Sequence, residues 1–288
     1  MEYTKLGNTD IEVSKLCVGC MSFGKPGTLH DWTLDETGTE EIVKHALDLG
    51  INFFDTANGY SDGTSEEYLG NALRKNVSRD KVVIASKVYF NPGRLSSEAI
   101  HREIEGSLKR LGTDYLDLYQ FHCADQCYRP GDGTGMYECM LEAKRQGKIR
   151  HIGITAHKLY IAEEIVESGL YETLQYPFSY LSSEREKQLV ENCKKADMGF
   201  IAMKALAGGL INRSEAAMAF ISQYDQVLPI WGIQKEKELE EWLGCMEETP
   251  GMTEEIRAFI EKEQQELTGE FCRGCGYCMP CPAGIQIN

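Results

Sequence analysis

SLKRLGTDYLDLYQFH, residues 107–122, changes its period halfway along. A helix predicted over Ser97 to Leu111 stops at Gly112, where a glycine closes a helix at little steric cost. Tyr115 to His122 follows as a short apolar run, the pattern of a strand buried on both faces of a parallel sheet, and its last position is a histidine. The same change recurs in both directions. Further strand candidates are Lys15 to Gly19, Ile51 to Thr56, Val82 to Val88, Ile149 to Thr155, Thr173 to Pro177, Gly199 to Ala205 and Val227 to Gly232, which makes eight. One intervening helix runs from a Thr39 cap through Ile42, Val43, Ala46 and Leu47 to Gly50, and another starts at Ser65 with Glu66 and Glu67 in its first turn. Strand and helix alternating eight times predict the α/β class and a (β/α)8 TIM barrel of roughly 250 residues. Glu2 to Val13, turning at Gly7-Asn8, reads as an N-terminal β-hairpin lid. The pattern changes after Thr249, so the expected division is a barrel over 1–247 and a short helical, cysteine-rich extension over 248–288.

The chain has 288 residues, 42% hydrophobic and 26% charged, which allows a sizeable core. No apolar run reaches the roughly 20 residues that span a bilayer, and the first residues lack the pattern of a signal peptide, so a cytoplasmic location is expected. A formal net charge of -15 argues against nucleic acid or an anionic membrane as partner, since both would be repelled. Eleven cysteines in such a protein point to metal or redox use of some of them. Seven (Cys17, Cys20, Cys123, Cys127, Cys139, Cys193 and Cys245) are scattered and read as small buried hydrophobes.

Three polar residues end apolar strands: Asp55 after INFF, Lys87 after VVIAS and His122 after YLDLYQF. Their spacings of 32 and 35 residues each approximate one βα unit, which places them on consecutive strands at the face where barrel active sites lie. Tyr60 follows in the loop after Asp55. A lysine at the end of a buried strand needs a carboxylate partner, and Asp55 is the candidate.

FFDTANGYSDGTSEEYLGNAL, VVIASKV, SLKRLGTDYLDLYQFH and QGKIRHIGIT resemble the signature blocks of the aldo-keto reductases, over Tyr3 to about Trp242. The resemblance implies an NAD(P)H-dependent oxidoreductase that moves hydride reversibly between nicotinamide and an aldehyde or ketone. Its substrate would be a small carbonyl or alcohol. It implies Tyr60 as general acid, Lys87 and Asp55 as its tuning pair, and His122 as the group orienting the carbonyl. A phenol of pKa about 10 is a weak acid at neutral pH unless a cation stabilises its phenolate.

No GxGxxG fingerprint is present, so a Rossmann site is not expected. The cofactor-binding positions implied by the resemblance are Gly19, Cys20, Met21 and Asp55 near the ring, Thr155 and Gln175 for the carboxamide, and Met203 beside it. Ala205, Leu206, Gly208 and Gly209 would lie along the pyrophosphate, and Gly232, Gln234, Lys235 and Glu238 at the adenosine end. Ala156, Met203 and Trp242 stand where the family commonly has Asn, an aromatic and Asn. Gln234 replaces an Arg that often grips the 2'-phosphate. Lys235 and Lys237 could serve it, opposed by Glu236 and Glu238, so NADP(H) is favoured only mildly over NAD(H). Substrate-shaping positions are the loop Cys20 to Asp31 with Phe23, then Trp32, Tyr89, Phe90 and Cys123 to Gly135.

The chain ends in CRGCGYCMPCPAGIQIN, with Cys272, Cys275, Cys278 and Cys281 each separated by two residues. Soft thiolates at this spacing suit an iron-sulfur cluster or tetrahedral zinc. The run resembles that of bacterial ferredoxins with a last gap one residue shorter, and similar tails occur on a branch of aldo-keto reductases in which a 4Fe-4S cluster is inferred. One 4Fe-4S cluster is expected, with zinc as the alternative. Two other functions remain open: a non-catalytic nicotinamide-binding redox sensor, and an electron-transfer protein that passes electrons from the tail to a partner.

Overall fold

The computed structural model describes residues 1–28, 32–89 and 96–267. The chain begins with an antiparallel hairpin of β1 (Tyr3–Lys5) and β2 (Glu12–Ser14). The alternating part follows: β3 (Cys17–Gly19), α1 (Glu36–Asp48), β4 (Phe53–Asp55), α2 (Thr64–Asn76), β5 (Val83–Tyr89), α3 (Ser97–Leu111), β6 (Leu116–His122), α4 (Met136–Arg145) and β7 (Ile149–Thr155). It continues with α5 (Leu159–Ser168), β8 (Thr173–Pro177), α6 (Glu184–Lys195), β9 (Gly199–Met203), α7 (Ser214–Ile221), β10 (Val227–Gly232), α8 (Glu236–Glu247) and α9 (Glu254–Glu266). Strands β3 to β10 are parallel and β10 pairs back onto β3, so the sheet is the closed eight-stranded barrel the sequence predicts.

The alternation of side chains along each strand sorts the core into two parts. Phe53, Val83, Ala85, Leu118, Ile201 and Leu228 fill the barrel interior, while Phe54, Ile84, Val88, Tyr119 and Phe121 face the helices. Leu6, Ile11 and Val13 of the hairpin join the interior cluster, so the hairpin closes the end opposite the carboxyl ends of the strands. Gly7 has φ 57, and a Cβ there would meet the Gly199 backbone nitrogen at 2.2 Å, so only glycine lets the turn seat against β9.

Five of the eight strands differ from their expected bounds by one or two residues at one or both ends, and α1 starts a turn earlier than expected. The α1 cap is Asp35, whose carboxylate accepts from the Gly38 N–H at 2.9 Å, and Thr39 is buried one turn inside. Strand β9 ends at Met203 rather than Ala205, because Lys204 turns into the left-handed region with φ 56. After α8, Ile256 and Ile260 of α9 join the helix-facing core. The Tyr180 hydroxyl, in the loop after β8, donates to Glu263, and Gln264 donates to the Tyr180 carbonyl.

Candidate active site

Strand parity makes the site. On β5, Val83, Ala85 and Lys87 point into the barrel, and on β6 Leu118, Gln120 and His122 do the same, so both strands turn polar residues inward as they near the cleft. Asp55 is the corresponding residue of β4. A one-residue slip in any of these strands would turn its polar group outward.

Lys87 is wholly buried, and its ammonium donates to Asp55, to the Thr56 carbonyl at 2.7 Å and to the Tyr60 hydroxyl at 3.5 Å. The Gln120 amide donates to the other Asp55 oxygen at 3.2 Å. Tyr60 stands edge-on to His122, with ring centroids 5.6 Å apart and planes at 84°. The turn that carries it, Tyr60–Gly63, holds Ser61 at φ 47 and Asp62 at φ 54, two successive non-glycine residues in left-handed conformation. Strain of this kind, of order 1–3 kcal/mol per residue, gathers at sites where geometry matters more than stability.

Burial is the largest influence on Lys87 and pulls its pKa down. The Asp55 charge, the Tyr60 phenol and the hydrogen bonds to both outweigh it, so the ammonium stays charged. Burial pushes the Tyr60 phenol up to about 12, with Lys87 pulling against it. The sequence leads one to expect the cation to prevail there; it does not, because the 3.5 Å contact is long and burial is the larger influence. Burial, then the charges of Lys87 and His157, drive His122 well below the ordinary histidine range, so its imidazole is neutral at physiological pH.

Above these residues opens a cleft of about 450 Å³ across the carboxyl ends of the strands. Asp55, Tyr60 and His122 line it, and Lys87 lies beneath. Gly19, Cys20, Met21, Thr155, Gln175, Met203, Ala205, Leu206, Gly208, Gly209, Gly232 and Gln234 line it too. Lys235 and Glu238 do not: the Glu238 carboxylate instead accepts the backbone N–H groups of Gln234 at 2.7 Å and Lys235 at 3.1 Å, in a capping box that starts α8. Trp242 is buried face to face on Trp231, centroids 3.6 Å apart, so that face is closed to an adenine ring. Of the substrate-shaping positions, Trp32 lines the cleft and Phe23 is wholly buried in the core. The Tyr89 side chain, Phe90 and the four tail cysteines lie outside what the structure describes.

His157 and Lys204 also line the cleft, and the sequence reading assigned them no role. The signal for Lys204 was the one that exposed Lys87, a lysine ending an apolar run, here FIAM.

The sequence profile of the Aldo/keto reductase family matches residues 15–219. The chain belongs to this family. Aldo/keto reductases are oxidoreductases acting on carbonyl groups and use nicotinamide cofactors. An uncharacterized oxidoreductase of Bacillus subtilis, YrpG, is 36% identical over 232 residues, covering 73% of this chain and 68% of its own. The aldo-keto reductase YhdN of the same organism is 35% identical over 217 residues, 73% of this chain and 64% of its own. The chain thus spans about two thirds of the length of these curated relatives. The holo form of an aldo-keto reductase from Bacillus halodurans, AKR11C1, superposes with a TM-score of 0.75 at 26% identity, covering 91% of this chain and 96% of its own. Among the described residues no group of three or more His, Cys, Asp or Glu is placed to hold a metal, and no helix is long and apolar enough to cross a membrane.

Proposed function

We propose that this aldo/keto reductase reduces a small aldehyde or ketone with NAD(P)H, and runs in reverse on the alcohol, through Asp55, Tyr60, Lys87 and His122. The observation that carries the reading is the buried Lys87 ammonium, held between Asp55 and the Tyr60 phenol under the floor of the cleft.

The residues of the cleft fit a nicotinamide. The buried Gln175 side-chain oxygen has no hydrogen-bond partner and suits the N–H of a primary amide. The Thr155 hydroxyl accepts from the Cys123 N–H at 2.7 Å and keeps its own proton to donate to the amide carbonyl. Gly209 and Gly232 have open space where a Cβ would stand, so a phosphate or ribose can approach the backbone closely. Ala205, Leu206 and Gly208 would flank the pyrophosphate, and Gly19, Cys20, Met21 and Met203 the ring.

The bound cofactor supplies the hydride. The protein supplies the response to the negative charge that grows on the carbonyl oxygen. The Tyr60 hydroxyl donates to that oxygen and gives up its proton, and Lys87 stabilises the phenolate left behind. Asp55 keeps Lys87 charged and fixed. His122, being neutral, keeps one ring N–H to aim at the same oxygen without adding a competing charge. Trp32 and the loop 123–135 would shape the substrate end.

NADP(H) is mildly favoured over NAD(H). Lys235 lies at the N-terminus of α8, and the Glu238 carboxylate, which would oppose a 2'-phosphate, is partly offset by its two backbone N–H donors. The spacing of Cys272, Cys275, Cys278 and Cys281 supports one auxiliary 4Fe-4S cluster, with zinc as the alternative. Such a cluster would exchange electrons with an electron-transfer partner.

The test is anaerobic oxidation of NADPH and NADH against a panel of aldehydes, ketones and quinones. Tyr60→Phe should lower turnover about a hundredfold or more while the change in cofactor fluorescence on binding persists. Near-normal turnover in that variant would remove Tyr60 from the reaction. The same sample should show visible charge-transfer absorbance and acid-labile sulfide; a colourless protein with one bound zinc would replace iron with zinc.

A further inference from the structure

Lys204 is the one lysine or arginine lining the cleft among the described residues, in a chain whose net charge is -15. It stands across the barrel mouth from the catalytic arc. Asp55, Lys87 and His122 come from β4, β5 and β6, whereas Lys204 follows β9, which pairs with β8 and β10 on the other side of the ring. A group of charge +1 there comes from a different side of the ring than Asp55, Lys87 and His122, and its chain neighbours Gly208 and Gly209 line the same cleft with Gly232 and Gln234.

The backbone around it is built at some expense. Lys204 has φ 56 and Ala207 φ 50, both in the region that glycine prefers, and the Ala207 N–H closes the turn onto the Lys204 carbonyl at 2.7 Å. Gly208 and Gly209 follow at φ 71 and φ 96, and at Gly209 open space stands where a Cβ would be, so an anion can approach the backbone closely there. A lysine contributes a point charge on a flexible stem and needs no fixed geometry of its own, which suits an anion whose position the backbone already sets.

We propose that Lys204 is the counter-charge for the diphosphate of the bound dinucleotide and a main source of its affinity. The inference rests on the nicotinamide reading above. Because NADPH and NADH share the diphosphate, Lys204 strengthens both equally and leaves the choice between them to Lys235 and its neighbours. The grip on the cofactor thus lies at its centre, where other reductases with an arginine in place of Gln234 would hold the adenosine end.

The experiment measures the Kd of NADPH and of NADH, by nicotinamide fluorescence on the full chain, for the wild type, Lys204→Asn, Lys204→Arg and Lys235→Ala. Asparagine removes the charge but tolerates the left-handed backbone, so the turn survives. Both Kd values should rise about tenfold or more in Lys204→Asn, with their ratio unchanged, and the rise of Kd with added salt should be shallower than in the wild type. Lys204→Arg should bind nearly as well as wild type, and Lys235→Ala should shift the ratio. Unchanged Kd values in a folded Lys204→Asn would overturn the proposal. So would a loss confined to NADPH, which would place Lys204 at the 2'-phosphate, or a raised KM for an acidic carbonyl substrate with intact cofactor binding. A wild type that binds neither nucleotide would instead defeat the nicotinamide reading, so the two failures are distinguishable.

Discussion

The two ends of this barrel handle charge in opposite ways. At the hairpin end, His151 lies between Asp10 at 2.7 Å and Glu172 at 2.8 Å; Glu172 also takes Lys144 at 2.7 Å, and Arg150 joins Asp10 to Asp117, which Arg79 holds as well. Each charge there has an opposite neighbour and most touch water. At the cleft end a single ion pair, Lys87 with Asp55, is wholly buried beside strained turns and amide oxygens of Gln120 and Gln175 that have no partner. Charges at the hairpin end are arranged to satisfy one another, and those under the cleft are arranged toward something that arrives from outside.

The contrast can be broken most sharply at Lys87. Lys87→Met should lower turnover about a thousandfold and, by leaving Asp55 buried without its partner, cost about 3–5 kcal/mol of stability. Adding Asp55→Asn should restore much of the stability and none of the turnover. Denaturant midpoints and rates on the two proteins decide it, and a double variant that stays as unstable as Lys87→Met would contradict the account of the pair.

The hairpin end should answer to pH instead. Burial opposes charge on both His151 and Glu172, but their mutual hydrogen bonds prevail, so the imidazole titrates above its ordinary value and the Glu172 carboxyl falls to about 2. The histidine contributes stability that is fully present below its unfolded pKa of about 6.5 and is lost as pH rises through the higher folded value. The carboxylate contributes stability present above about 4.5 and lost as pH falls toward about 2. His151→Gln should therefore be less stable than wild type by about 1 kcal/mol near pH 5–6 and converge on it at alkaline pH, with turnover at saturating substrate unchanged. Parallel pH curves of denaturant midpoint would show that the histidine contributes nothing there.

The smallest effect is expected at Asp62. Asp62→Gly removes a side chain from φ 54 but loosens the unfolded chain, so stability should change by less than about 1 kcal/mol. The KM should rise more than stability changes, because the turn aims Tyr60. An unaltered KM would mean that the turn's conformation is incidental.

The sequence made the barrel legible because strands buried on both faces are apolar throughout, and three of them, Ile149–Thr155, Thr173–Pro177 and Val227–Gly232, have the bounds their composition suggests. Lys87, Asp55 and His122 were legible for the same reason: a polar residue that ends such a run has no solvent to face. What the residues alone could not give was the sign of φ. Lys204 reads as the continuation of a strand, yet it turns left-handed and lands in the cleft, and Glu238 is expected at the adenosine end of the cofactor although backbone N–H groups claim it. Nor did composition tell Trp242 from a nucleotide contact, since only packing shows its face covered by Trp231.

The closed ring has a further consequence for life in a crowded solution. Every barrel strand has a neighbour on both sides, so none of the eight offers the row of unsatisfied amides onto which a second molecule could zip itself. Such an exposed margin persists in the little hairpin, and there it is kept harmless by brevity and charge: each strand is three residues long, Lys5 ends the first, and Glu2 and Lys15 pair at 2.9 Å across its mouth.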